Sequence, residues 1–506
     1  MTHGPSTPET EASAPPAVAP AIDSFADHVG GLWSPARRSL TVGLVVTVTL
    51  VAFEALAIAT ILPIVTRELG DLHLYGWVFS AFFLGTLLGT VLLGGMADRR
   101  GLVLPFALGL GLFAVGLVAG GLAPSMLILV VSRFVQGLGA GAIAPIAYVA
   151  IGRTLPEGLR AQMFAVLSTA WVLPGLIGPA IAGLIGEATS WRVVFLGLLP
   201  LIAVSGALTV SALGRIPEAV RATVTATVAG SGSSARSGSS AGSAVPDGHR
   251  VRWAFVIVGG AALATAGLTS VSLVPGLPLI GVGLILTVRA FMSLTPPGTL
   301  RAAAGLPAAV LLRGVLTFAF FAADAYVPLA LQDWRGTSAT VSGIVLTAAT
   351  LAWTAGAWIQ ARGIVRFGAR RFVRLGFATV ALGIVGFAAV LSPAVPIVAG
   401  IAAWAVAGLG MGLAYSTLSL VTLREAPAGE EGSASAALQL SDVLGTALGT
   451  GVGGALIAAG LVLGAEAWWG LAAAFAVGAA IDVLGVALSG RLPGRVAATA
   501  AVPARS

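Results

Sequence analysis

Apolar stretches of membrane-spanning length alternate with short polar loops from residue 40 to residue 488. Crossing a hydrocarbon core takes about 20 residues of helix. Leu40–Leu62, Tyr75–Met96, Leu102–Leu122, Ser125–Ile151, Ala161–Gly186 and Val193–Leu213 each reach about that length. Gly214–Arg252 then interrupts the pattern with GSGSSARSGSSAGSA, the composition of a flexible linker. Two further runs, Ala254–Leu273 and Leu279–Leu294, flank Val274-Pro275-Gly276, which predicts a hairpin with a tight turn over Val274–Leu277. Six more runs follow at Leu306–Leu331, Val341–Gln360, Phe372–Leu391, Ile397–Leu423, Ser435–Ala459 and Trp468–Leu488. The expectation is an all-α membrane protein of fourteen transmembrane helices. Its segments are a disordered tail (1–39), a six-helix bundle (40–213), a linker (214–252), an inserted hairpin (253–295), a second six-helix bundle (306–490) and a tail (491–506).

Composition sharpens this picture. Hydrophobic residues make up 57% and charged residues 9% of the chain, where a soluble domain carries roughly 25% charged residues. The chain has no cysteine, which removes disulfides, thiol nucleophiles and thiolate metal sites. The four histidines, His3, His28, His73 and His249, share no metal-ligand spacing. No lysine is present either, so a phosphate-binding loop ending in Lys-Ser or Lys-Thr is impossible and an ATPase is excluded. The net charge of +7 has a topological explanation that makes a nucleic-acid partner unnecessary. Residues 1–39 lack the charged-then-apolar opening of a cleavable signal peptide, and Arg37-Arg38 marks the start of the first helix as cytoplasmic. With that orientation twenty-two arginines fall inside and three outside (Arg67, Arg192, Arg335), with Arg133 and Arg313 inside helices. Both termini are therefore expected in the cytoplasm of a bacterium, with the chain in its inner membrane.

A weak internal repeat accompanies the topology. Helix 1 carries Glu54 and helix 9 carries Asp324, each an isolated acid in an apolar span. The second helix of each half ends in a basic, glycine-containing turn, Asp98-Arg99-Arg100-Gly101 and Arg366-Phe367-Gly368-Ala369-Arg370-Arg371. Two repeated six-helix halves with a pathway between them are a common transporter design. Other polar groups lie within spans. Arg313, near the cytoplasmic end of helix 9, is expected to snorkel to water. Asp442 and Asp482 lie close enough to the inner face to reach water or a loop arginine. Trp171, Trp353, Trp358 and Trp404 fall within spans rather than at interfaces and are, with Asp442, candidate cavity-lining residues.

Three motifs carry a family resemblance. Gly94-Gly95-Met96-Ala97-Asp98-Arg99-Arg100-Gly101 resembles the signature loop of the major facilitator superfamily, although Leu102 and Val103 stand where the family continues with basic residues. Arg133-Phe134-Val135-Gln136-Gly137 in helix 4 resembles the family's intramembrane arginine motif. An arginine at that depth costs roughly 2.5–3.5 kcal/mol on insertion scales and calls for a partner or a wet pathway. Pro174-Gly175-Leu176-Ile177-Gly178-Pro179-Ala180-Ile181-Ala182-Gly183 in helix 5 resembles the motif of drug:proton exporters, with glycines for close packing and prolines that weaken the helical ladder. Trp77-Val78-Phe79-Ser80-Ala81-Phe82, Ser190-Trp191-Arg192 and Gln439-Leu440-Ser441-Asp442-Val443-Leu444-Gly445 extend the resemblance to the fourteen-helix drug:proton antiporter branch over Leu40–Leu488. Glu54 stands where that branch has aspartate, and Leu56 and Ala59 where it has polar residues.

The resemblance implies a major facilitator fold and a secondary transporter, not an enzyme, which exports small amphipathic compounds by alternating access. It needs no cofactor beyond a proton gradient, and its partners are substrate, protons and the bilayer, with the chain acting as a monomer. Asp98 is cast as a latch between the halves. Depth adds a proton-coupling assignment: at 1.5 Å per residue, Glu54 lies roughly 21 Å from the inner start of helix 1 and Arg133 roughly 12 Å from the outer start of helix 4. These heights agree across a core of about 30 Å, so Glu54 is the expected principal proton carrier, Arg133 its partner and Asp324 the second carrier. The rival readings are a static Glu54–Arg133 pair, a dedicated exporter of a lipid or secondary metabolite, and a membrane receptor or scaffold that has lost transport.

Overall fold

The computed structural model describes residues 31–35, 37–214, 248–270, 273–463 and 466–494. Most of both predicted tails and of the 214–252 linker lies outside the described residues. Among the described residues, fourteen helices are long and apolar enough to cross a membrane. They are α1 (Arg38–Leu69), α2 (Tyr75–Arg100), α3 (Val103–Gly121), α4 (Met126–Thr154), α5 (Glu157–Ala188), α6 (Trp191–Gly214) and α7 (Gly248–Leu268). The rest are α8 (Leu273–Leu294), α9 (Leu306–Trp334), α10 (Ala339–Phe367), α11 (Ala369–Ala388), α12 (Ile397–Glu425), α13 (Glu431–Val462) and α14 (Ala467–Leu488).

Inside a bilayer every backbone N–H and C=O must pair within the chain, which leaves helices as the solution for runs this apolar. The helices outrun the apolar stretches that predict them. α1, α5 and α13 are 32 residues long, about 48 Å at 1.5 Å per residue, so their polar ends stand clear of a core of about 30 Å. α9 is regular only to Asp324, and then continues through a short helical turn with Pro328 and a π-turn over Ala330–Trp334. Ser125, Ser190 and Ser338 cap α4, α6 and α10 by accepting from backbone N–H groups in the first turn. The repeat appears in the backbone as well: α2 stops at Gly101 with φ 75° and α10 at Gly368 with φ 79°, a left-handed conformation that glycine adopts without a Cβ penalty.

Three expectations need correction. Val274–Leu277 is not the turn of the hairpin, because α8 begins at Leu273 and takes these residues into its first turns. A proline there costs little, since first-turn N–H groups have no helical acceptor. α7 starts at Gly248, six residues before its apolar run, so the linker ends sooner than expected. Residues 31–35, expected within the disordered tail, are anchored at one point: Leu32 is buried and its carbonyl accepts from Thr41 Oγ1 at 3.1 Å.

Within the first half α1 packs on α5 and α2 on α4, and within the second α9 packs on α13 and α10 on α12. Glycine sets the closeness of these contacts. Gly137 of α4 lies against the Phe82 carbonyl and Gly85 of α2 against the Phe134 carbonyl, at positions that leave no space for a Cβ. The two halves meet along two seams, α5 with α10 and α2 with α13. The inserted α7 covers the second seam, packing on both α2 and α13, with α8 behind it. Leu84, Leu88, Ile257, Phe291 and Leu444 belong to one apolar cluster there, apart from the main core.

Candidate functional site

The polar interior of the first half is built around Arg133, the eighth residue of α4. Its guanidinium forms an ion pair with Glu54 of α1, and the two side chains are 1% and 3% exposed. The same group donates to Gln136 Oε1 at 2.6 Å and to the Val78 carbonyl at 3.3 Å, and lies 4.3 Å from the Phe82 ring centroid. Residues from the motif segments of α2 and α4 thus hold one cation, and Glu54 balances its charge. The second oxygen of Glu54 is enclosed with no hydrogen-bond partner. The crevice beside it, lined by Ile58, Ile61, Val194 and Phe195, leaves no room for a water molecule.

The second half places its acids differently. Asp324 is half-buried and accepts from Trp404 Nε1 at 3.0 Å. Trp404, with no exposed surface, is stacked on Phe320 at 5.5 Å and set edgewise to Phe387 at 5.2 Å. Trp353 continues this aromatic row, 5.9 Å from Phe320 and 5.3 Å from Tyr415.

Tyr415 leads to a cluster that sequence reasoning missed. Arg313 does not snorkel: it is 2% exposed, its guanidinium carbon sits 3.3 Å from the Tyr415 ring centroid, and it donates to Ser419 Oγ. α12 packs against α9 at this point and offers the guanidinium a ring and a hydroxyl nearer than water. The Tyr415 hydroxyl donates to Asp442 Oδ2 at 2.8 Å, so Asp442 meets a tyrosine rather than a loop arginine. Asp482 reaches neither water nor an arginine, because both of its oxygens are enclosed without a partner. A signal for the cluster existed, in that a tyrosine within an apolar span requires a partner for its hydroxyl.

The remaining motif residues divide by position. In α5, Gly183 faces the Ala339 backbone, where a Cβ would stand 2.8 Å from the carbonyl carbon, and Gly175 faces Thr350, both across the α5–α10 seam. Gly178 faces the Phe53 ring within its own half, and Pro174 and Pro179 lie inside the helix. Gly94 and Gly101 have open space at their Cβ positions, and Arg99 is exposed in the last turn of α2. Asp98 belongs to the same last turn, and its side chain lies outside the described residues. Trp171 and Trp358 are exposed on α5 and α10, the latter with Arg362 4.9 Å from its ring.

Among the described residues, several hydrogen bonds join the two halves in the half of the molecule away from the start of α1, here called the distal side. Glu187, near the end of α5, accepts from the Ala339 N–H that opens α10 and from Thr340 Oγ1 at 3.0 Å. Gln332 in the π-turn donates to the Thr60 carbonyl and to Ser342 Oγ, each at 2.8 Å. Arg67 pairs with Asp333 at 3.2 Å. On the other seam Ser80 donates to the Ala447 carbonyl at 2.8 Å, and the Tyr75 and Tyr326 rings lie 5.5 Å apart. None of these contacts was foreseen, since each depends on which helix ends meet.

Comparison with known proteins agrees with this architecture. The chain is 28% identical over 457 residues to a probable multidrug-efflux transporter of Mycobacterium tuberculosis, covering 86% of this chain and 91% of that one. Multidrug resistance protein 3 of Bacillus subtilis is 22% identical over 168 residues, 33% of each chain. A bacterial homologue of the lysosomal transporter Spinster, solved inward-facing and unoccupied, superposes with a TM-score of 0.59 at 15% identity, covering 90% of this chain and 96% of that one. A nucleoside transporter superposes with a TM-score of 0.60 at 12% identity, covering 90% and 99%. The sequence profile of the Major Facilitator Superfamily matches residues 44–450, and the fourteen-helix chain belongs to that superfamily of membrane transporters.

Proposed function

We propose that the protein is a proton-driven exporter of small amphipathic compounds, working by alternating access as a monomer in a bacterial inner membrane with both termini in the cytoplasm. The observation that carries this reading is the pairing of buried charge in the transmembrane interior with closure of the distal side. A buried ion pair costs several kcal/mol of desolvation per ion, and a chain that needed only a stable bundle would do as well with apolar residues there. The arginine asymmetry supports a cytoplasmic start for α1, and with that orientation a closed distal side supports an inward-facing reading.

Rocking of the halves would separate α5 from α10, where glycines allow close approach and where the contacts are a few hydrogen bonds. Glu54, Arg133 and Asp324 are the groups through which proton movement is coupled to that rocking, and Asp98 with its arginine turn is the latch on the opposite side. Likeness to a relative named for multidrug efflux supports a broad substrate range.

Purified protein in proteoliposomes under an imposed pH gradient tests the proposal, with tetraphenylphosphonium, dyes and lipids as the panel. Uptake of a panel member accompanied by opposite proton flow is the expected result. Substrate movement that is indifferent to the gradient would refute proton coupling, and no movement of any panel member would refute broad export.

A further inference from the structure

Corresponding positions of the two halves carry different chemistry. Arg133 is the eighth residue of α4, and Trp404 is the eighth residue of α12, the helix that holds the same place in the second half. Each reaches back to the acid on the first helix of its own half, Arg133 to Glu54 and Trp404 to Asp324 at 3.0 Å. The repeat has therefore kept an acid and a donor in both halves, but one donor is a cation and the other a neutral indole.

Charge balance follows from that difference. Glu54 is neutralised inside the protein by Arg133, and its free oxygen is sealed beside a crevice that cannot hold water. Asp324 has no arginine within ion-pair distance among the described residues, and the residue is only half-buried where Glu54 is fully buried. Other ionisable groups on α9 and the helices packed on it are engaged elsewhere or lie at the opposite helix ends, as Arg370, Arg371 and Arg374 at the start of α11 and Arg424 in the last turn of α12 do. Tyr326 donates to the Thr450 carbonyl and Tyr75 to the Ala325 carbonyl at 3.4 Å. Asp333 is paired with Arg67, Asp442 and Arg313 are gathered on Tyr415, and Asp482 on α14 is enclosed alone. None of the described residues supplies Asp324 with a positive charge, and a proton is the smallest ion that can.

We infer that Asp324 is the acid that exchanges its proton in this conformation, that Trp404 is its positioning residue, and that the Glu54–Arg133 pair stays closed until the halves move. The inference deepens the antiport reading and rests on it for its place in the cycle. The buried indole holds one carboxylate oxygen in place while the other remains open to a proton or to the cationic group of a substrate. The two acids then act in turn: one is accessible while the other is sealed, so a proton is not passed straight through.

Infrared difference spectra of the full chain in proteoliposomes, recorded between acid and alkaline pH without substrate, separate the two acids. The expected result is a titrating carboxyl band that disappears in Asp324→Asn and persists in Glu54→Gln. Trp404→Phe keeps a ring but removes the N–H, and should retain the band while shifting its pH midpoint, which a purely packing role would leave in place. Any other pattern, whether a band retained in Asp324→Asn or lost in Glu54→Gln, overturns the assignment. Proton release on adding tetraphenylphosphonium, followed with a pH dye, is read separately. Its absence with the band assignment intact refutes drug:proton exchange and leaves Asp324 as the titrating group.

Discussion

Removing Arg133 while leaving Glu54 in place should be among the most damaging single changes in the transmembrane interior. Arg133→Met preserves much of the side-chain volume but strips Glu54 of its counter-charge at a site 3% exposed. It also strips Gln136 and the Val78 carbonyl of their donor. Breaking a buried pair from one side costs about 3–5 kcal/mol, a factor of roughly 10² to 10³·⁵ in the folding equilibrium at 1.4 kcal/mol per decade. Replacing both partners by apolar groups of similar size is often neutral, so Glu54→Leu/Arg133→Met should recover most of that loss. The double-mutant cycle is read from loss of helical circular dichroism in mixed micelles of increasing denaturing-detergent fraction. A coupling of about 2 kcal/mol or more is expected, since contacting residues couple by 0.5–3 kcal/mol and a buried pair lies at the upper end. If Arg133→Met unfolds at the same detergent fraction as the double variant, the pair does not behave as a buried salt bridge and the charge-balance argument fails with it.

Three further outcomes follow from the seams and the topology. Glu187→Ala removes the acceptor at the start of α10 and should cost about 0.5–2 kcal/mol of distal closure. A cysteine placed by Thr60→Cys, at a buried position of the closed seam, should then react roughly 2- to 30-fold faster with a water-soluble maleimide, and an unchanged rate would remove Glu187 from the gate. Gly183→Val puts side-chain carbon against the Ala339 backbone, so combined with Thr60→Cys it should express, remain reactive to the maleimide and transport nothing; normal transport would show that this contact is not part of closure. A cysteine introduced by Ser231→Cys, in the linker, should resist an impermeant reagent added outside intact cells, and labelling there would invert the proposed orientation.

How far the sequence reaches depends on which kind of physics fixes each feature. Helix number and order are decided by the cost of unpaired backbone in hydrocarbon, a property of each run by itself, so Leu40–Leu62 or Val341–Gln360 can be read without knowing their neighbours. Depth is also local, because rise per residue places Glu54 and Arg133 at similar heights before their contact is known. Ends are less legible. Pro275 reads as a turn residue, yet a helix N-terminus accepts it equally well, and only the path of the chain decides between them.

Partnership across helices is least legible, since it depends on rotation about each axis. Arg313 looks like a snorkelling arginine until α12 presents Tyr415 and Ser419 to it. Trp404 reads as one more intramembrane tryptophan until its indole N–H is found on Asp324. Even so, the repeat contained the register that pairs them. Matching α12 to α4 by position sets Trp404 against Arg133, and the contact of Arg133 with Glu54 then specifies which acid Trp404 must meet. The information lay in the correspondence between the halves, which becomes usable once helix starts are known to within a residue, because one residue of slip turns a side chain by about 100° to another face of the helix.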